Sequence, residues 1–270
     1  MSTPTFSKLL LATEGTEFDA GAMRVALAMA SAQAVPLGVV FPLMSNPEYE
    51  AVAPQAAAKA ERDVAVSLAK LHDLASKAGV TLEVCVRRGS APDQEILDEA
   101  VRSNADLLIL RRRGKSSFLS RLLIGEMVGR ILDRAPCDVL IVPRTCKLWQ
   151  RGIMVVIEGS ETASAGAIAA TGAAMARTAR LPLSLLVISS GGEDAARPSL
   201  ALAEAAAASA GVVPHSELVH IESAPGNTRA AITAGADLLV IRFGAPGTSS
   251  GTLMRKVIAA CDVPVLALRR

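Results

Sequence analysis

Ala105-Asp-Leu-Leu-Ile-Leu110, Arg111-Arg112-Arg113-Gly114-Lys115-Ser116-Ser117, Leu122-Leu-Ile-Gly125-Glu126-Met127 and Ala135-Pro-Cys-Asp-Val-Leu-Ile-Val142 follow one another in a single stretch of the chain. The first segment predicts a short apolar strand, and the second a basic loop with a glycine. The third predicts a helix starting near Gly125, and the fourth a second apolar strand. Apolar runs without alternation belong to strands covered on both faces, which is the pattern of a parallel sheet. A loop leaving the carboxyl end of such a strand towards a helix is where α/β folds bind phosphate. Backbone N–H groups and the helix dipole both favour anions there.

Part of this stretch occurs twice. Ala105-Asp-Leu-Leu-Ile-Leu110 returns as Ala236-Asp-Leu-Leu-Val-Ile241, and Lys8-Leu-Leu-Leu-Ala-Thr-Glu-Gly-Thr-Glu17 as Gly152-Ile-Met-Val-Val-Ile-Glu-Gly-Ser-Glu161. Gly89-Ser-Ala-Pro92 returns as Glu222-Ser-Ala-Pro225. The displacements fall along the chain while the order is kept, so the sequence reads as two copies of one domain, the second shortened by deletions. The copies are placed at 1–145 and 151–270, joined by the polar stretch from Arg144 to Arg151 that carries the only Trp, Trp149.

Working outward, the first copy predicts strands at Leu9–Thr13, Pro36–Pro42 and Thr81–Val86, ahead of the two apolar strands of the opening stretch. Helices are expected over Asp19–Ala34, in the Ala-rich segment ending at Ala78 (stopped by Gly79), and over Asp93–Ser103 behind Pro92. The second copy predicts strands at Ile153–Ile157, Leu183–Ser189, Glu217–Ile221, Leu238–Ile241 and Val265–Leu268. Its helices are expected at Ala163–Ala179, Ser199–Ala210, Thr228–Ala234 and Thr252–Ala260. This alternation is a doubly wound parallel α/β sheet of five strands in each copy.

Composition narrows the function classes. The 270 residues carry a net charge of +2 and 3% aromatics, which supplies neither the field nor the stacking platforms of a nucleic-acid partner. No apolar run nears the ~18 residues of a membrane helix, and Met1 to Lys8 lacks the pattern of a signal peptide. Cys85, Cys137, Cys146 and Cys261 show no Cys-x-x-Cys and no zinc spacing with His72, His215 or His220, so no metal site is expected. They read as reduced, packed thiols of a cytoplasmic protein. Gly114-Lys115-Ser116 is not a P-loop, because Ile109 stands where that motif needs its first glycine. No nucleophile-elbow or His-x-x-x-His pattern occurs, and no catalytic residue is expected.

The ordered set of motifs resembles the universal stress protein family, twice over. It comprises the strand, acid, Gly and Ser/Thr at Leu11–Thr16 and Val156–Ser160, then Val86-Arg-Arg-Gly89-Ser-Ala-Pro92 before a helix, and Ala135-Pro-Cys137 before the last strand. Nucleotide-binding members carry Gly-x-x-Gly, nine residues, then Gly-Ser/Thr after the fourth strand. Gly114 and Gly125 match the second and third glycines with ten residues between them. Arg111 stands at the first glycine and Glu126 at the hydroxyl position. The resemblance implies the adenine nucleotide alpha hydrolase-like fold. It also implies pairing of the two domains through their last strands, Val139–Val142 and Val265–Leu268, and leaves open a homodimer of tandem chains.

For the ligand, the resemblance implies an adenine nucleotide, ATP with Mg²⁺, in the first domain only. Glu14 would face it, Val40 would help line the adenine pocket, and Gly114, Lys115, Ser116, Ser117, Gly125 and Glu126 would surround the phosphates. Arg111, Arg112, Arg113 and Lys115 present two readings: side chains that hold phosphate, or a solvated basic loop paired with Glu126 and neighbouring carboxylates. In the second domain Glu158, Gly244, Gly247 and Gly251 remain as fragments, and their loop is expected to be structural. Three functions stay open at this point: a nucleotide-regulated stress-response protein, a nucleotide-free scaffold acting through protein contacts, and a slow ATPase.

Overall fold

Strand β1 (Leu9–Ala12) is buried along its whole length and pairs in parallel with β2 (Leu37–Met44) on one side and β4 (Leu107–Arg111) on the other. This computed structural model describes residues 5–45, 54–112, 126–189, 192–220, 235–244, 255–258 and 261–269. The described residues fall into two units, residues 6–112 with 126–148, and the residues from 149 on.

In the first unit the sheet order is β3-β2-β1-β4-β5, with β3 at Leu82–Gly89, β5 at Asp138–Val142 and every pairing parallel. The crossovers are helices: α1 (Ala20–Gln33), α2 (Pro54–Ala78), α3 (Pro92–Arg102) and α4 (Glu126–Arg134). Helix α1 packs on β1, β4 and β5, and α3 packs on β2 and β3. Gly79 ends α2 with φ +68°, a left-handed cap that leaves Val80 N–H bonded to the Ala75 carbonyl. Strand β3 runs three residues past its expected end, because Pro42, Leu43 and Met44 continue β2 in register with Arg87, Arg88 and Gly89.

The second unit repeats the plan. Strands β6 (Ile153–Glu158), β7 (Leu183–Ser189), β8 (His215–His220), β9 (Leu238–Arg242) and β10 (Val265–Leu268) stand in the order β10-β9-β6-β7-β8, all parallel. Helix α5 (Thr162–Ala179) packs on β6, β7 and β9. Helix α6 (Glu193–Ser209) begins six residues before the expected Ser199, so Pro198 lies inside it. Glu193 and Asp194 in its first turn suit the helix dipole, and the Ala-rich remainder tolerates the one N–H that Pro198 cannot donate. The helix expected at Thr228–Ala234 lies outside the described residues. Of the helix expected at Thr252–Ala260, residues 255–258 are described and helical.

The repeated Ala-Asp-Leu-Leu segment has a physical reason. Asp106 accepts hydrogen bonds from the Ser7 and Lys8 backbone N–H groups at 2.7 and 3.0 Å, and so fastens the entry of β1 beside β4. Asp237 does the same for β6, accepting from the N–H groups of Gln150, Arg151 and Gly152. Among the described residues no helix is long and apolar enough to cross a membrane.

Candidate functional site

The chain leaves β1 through Thr13, whose N–H donates to the Val40 carbonyl, and turns at Gly15 with φ +70°. A side chain at Gly15 would meet Ser67 Cβ at 2.3 Å, so both conformation and space reserve this position for glycine. A short 3₁₀ turn, Glu17–Asp19, then leads into α1. Asp19 is 1% exposed, and its Oδ2 accepts from the backbone N–H of Glu14 (3.1 Å), the backbone N–H of Thr16 (3.0 Å) and the Thr16 hydroxyl (3.2 Å).

Arg111, the last residue of β4, turns its guanidinium onto this loop. Nη2 donates to Glu14 Oε2 at 2.6 Å, and Nη1 donates to Thr16 Oγ1 at 2.9 Å and lies 3.1 Å from Asp19 Oδ1. The Arg111 side chain is 11% exposed. Of the reading that pairs the basic residues with Glu126 and neighbouring carboxylates, the structure shows the neighbouring carboxylates at Arg111 and not Glu126. β4 ends directly beside the turn after β1, and that turn holds the two nearest carboxylates. Glu126 is instead an exposed first residue of α4.

The remaining sequence-derived candidates are placed as follows. Val40 is wholly buried within β2, in register with Ala12 and Cys85. Gly114, Lys115, Ser116, Ser117 and Gly125 lie outside the described residues, as does Arg113. Beside Arg111 and Glu14 is a cleft with an apolar wall of Ile96, Leu110, Met127 and Val128 and a volume of about 20 Å³. That is room for about one water molecule. Arg111 stands where the nucleotide motif has its first glycine, and it engages Glu14, the acid expected to face the ligand; Gly114 and Gly125, the other two glycines of that motif, lie outside the described residues.

Asp19 is a site residue outside the expected set, and Thr16 belongs to it only as the Ser/Thr of the turn motif. Their signal was present as Thr16-x-x-Asp19 ahead of a helical pattern, an N-terminal capping signature in which the acid reaches back to the Thr16 N–H.

In the second unit, Arg242 ends β9 as Arg111 ends β4, and its Nη1 donates to Glu161 Oε1 at 2.9 Å. Glu158 is buried, with Oε1 accepting from the Ser160 hydroxyl and Oε2 without a hydrogen-bond partner. Gly244 is described, whereas Gly247 and Gly251 are not.

A second polar cluster lies between β3 and α3 of the first unit, along a cavity of about 170 Å³. Glu99 is 2% exposed and takes both arms of the Arg102 guanidinium, at 2.5 and 2.9 Å. Burial pushes the Cys85 thiol up, and its hydrogen bond to Glu99 adds to this, so the thiol stays protonated and weakly nucleophilic. Among the described residues no group of three or more His, Cys, Asp and Glu side chains could hold a metal ion.

Comparison with known proteins agrees with this architecture. Residues 5–143 match the model of the universal stress protein family. A universal stress protein of Thermus aquaticus is 29% identical over 143 residues, covering 51% of this chain and 98% of that protein. One from Methanocaldococcus jannaschii is 32% identical over 81 residues, covering 30% of this chain and about half, 46%, of that protein. The crystal structure of a universal stress protein from Archaeoglobus fulgidus superposes over 97% of this chain and 98% of its own, with a TM-score of 0.75 at 20% identity.

Proposed function

Because the chain belongs to the universal stress protein family, we propose that it is a tandem, non-enzymatic regulatory member that acts through protein contacts, its first domain closed to adenine nucleotides by its own Arg111. The observation that carries this reading is the Arg111 guanidinium set between Glu14 and Asp19 at the strand end. Of the three functions left open by the sequence, the scaffold fits this geometry best. An ATPase needs the nucleotide seated, and the seat is taken.

Adenine nucleotide binding, implied by the resemblance for the first domain, belongs only to a form in which Arg111 has left its two carboxylates. The second domain is a shortened copy of the first with a structural role. Pairing of the domains through their last strands, a homodimer of tandem chains and a cytoplasmic location complete the proposal, and all three rest on the sequence reading.

The test is a thermal melt of the full chain with and without ATP and Mg²⁺. A ligand at 100 times its dissociation constant adds about 2.7 kcal/mol of stability, which raises Tm by about 5–10 °C in a chain of this size. The expected result is an unchanged Tm up to millimolar ATP. A rise of that size overturns the reading.

A further inference from the structure

Arg111 and Arg242 hold equivalent places, each directly after the repeated Ala-Asp-Leu-Leu segment and each at the carboxyl end of its unit's fourth strand. Each guanidinium turns back to the turn that follows the first strand of the unit. The first unit uses Glu14 and Asp19, while the second uses Glu161, which aligns with Glu17 in the repeat. The arginine is common to both copies, and each meets a carboxylate of that turn.

The chemistry of the first crevice follows from its acceptors. The Glu14 and Asp19 carboxylates and the Thr16 hydroxyl converge on one planar cation. Two anionic groups facing inward suit a forked cation and oppose a phosphate. Asp19 is almost fully buried, so without a cation its charge would stand uncompensated in a poorly solvated place. At the matching strand end of the second unit, Glu158 holds a buried Oε2 without a hydrogen-bond partner.

Resting on the reading above, we infer that the strand-end crevice of each unit is a guanidinium-binding site filled in cis by the chain's own arginine. The ligand class it recognises is therefore a guanidinium or related forked cation.

Arg111→Ala removes the resident cation, and methylguanidinium chloride can then supply one from solution. The readout is the Tm of the full chain in tens of millimolar methylguanidinium, against sodium chloride and sodium phosphate at equal ionic strength. Methylguanidinium is expected to raise the Tm of Arg111→Ala by several degrees and to leave the unsubstituted chain without a rise, while the other two salts do not discriminate. Arg111→Lys, which keeps a charge but loses the fork, is expected to respond in the same direction and less. It carries the comparison if Arg111→Ala does not fold, and folding of either variant only in methylguanidinium counts as rescue. Stabilisation by phosphate in place of methylguanidinium, or an equal response to all three salts, overturns the inference. An ATP-dependent rise in the unsubstituted chain would overturn the proposed function and leave this result to stand by itself.

Discussion

The Asp19 carboxylate is shared between a helix start and a strand end: Oδ2 accepts the Glu14 and Thr16 N–H groups, and Oδ1 lies 3.1 Å from Arg111 Nη1. One buried acid therefore shapes the turn after β1 and lies against the arginine that ends β4. The turn is organised by charge inside the protein.

The two strand-entry aspartates make independent predictions. Asp106→Ala and Asp237→Ala each remove a carboxylate that accepts backbone N–H groups at the start of a first strand. Each is expected to cost about 1 kcal/mol in urea unfolding, and the pair to be additive to within about 0.5 kcal/mol. A null effect at Asp237 with a full effect at Asp106 would contradict the structural equivalence of the two units.

Gly21 and Gly79 should respond to alanine for different reasons. A Cβ at Gly21 would meet the Pro143 carbonyl oxygen at 2.0 Å, backbone against backbone, where Arg24 also binds the Arg144 and Cys146 carbonyls. Gly21→Ala is expected to lose about 3 kcal/mol. Gly79 has φ +68° and open space around it, so Gly79→Ala should lose only about 1 kcal/mol. Equal losses on denaturant titration would show that the Pro143 segment does not lie against α1.

Much of this fold was legible because the apolar strands are short, buried on both faces and written twice. Leu107–Leu110 and Leu238–Ile241 could be placed from their lack of alternation alone, and Gly79 from its position after the last periodic residue. Element ends were less legible. The expected start at Ser199 falls just past Pro198, and the acids at Glu193 and Asp194 and the packing of α6 on β7 explain why the helix begins before that proline. The site was half legible. Glu14 and Arg111 were both singled out, yet their pairing depends on β4 lying beside β1, a contact between residues far apart in sequence. Asp19 looked like an ordinary acid at a helix start, and nothing local reveals that its second oxygen meets a guanidinium.

Acid should weaken the first unit through Asp93. The Arg130 guanidinium, hydrogen-bonded to it at 2.7 Å, holds its carboxyl below the usual range against the opposing effect of burial. A carboxyl depressed in the folded state contributes stability above its unfolded value of about 3.9 and loses it as pH falls through the lower folded value. Asp93→Asn is therefore expected to be less stable by about 1 kcal/mol at pH 7, with the gap closing as the pH is lowered below 4. A gap that widens in acid would reverse the assigned sign.

A double-mutant cycle on Arg111 and Asp19 tests the central claim most directly. Arg111→Ala, Asp19→Asn and the double variant are compared by urea unfolding of the full chain. A coupling energy of about 2 kcal/mol is expected, as for a buried ion pair within one network. Single losses that simply add, to within about 0.5 kcal/mol, would contradict an arginine held at the strand end by that acid.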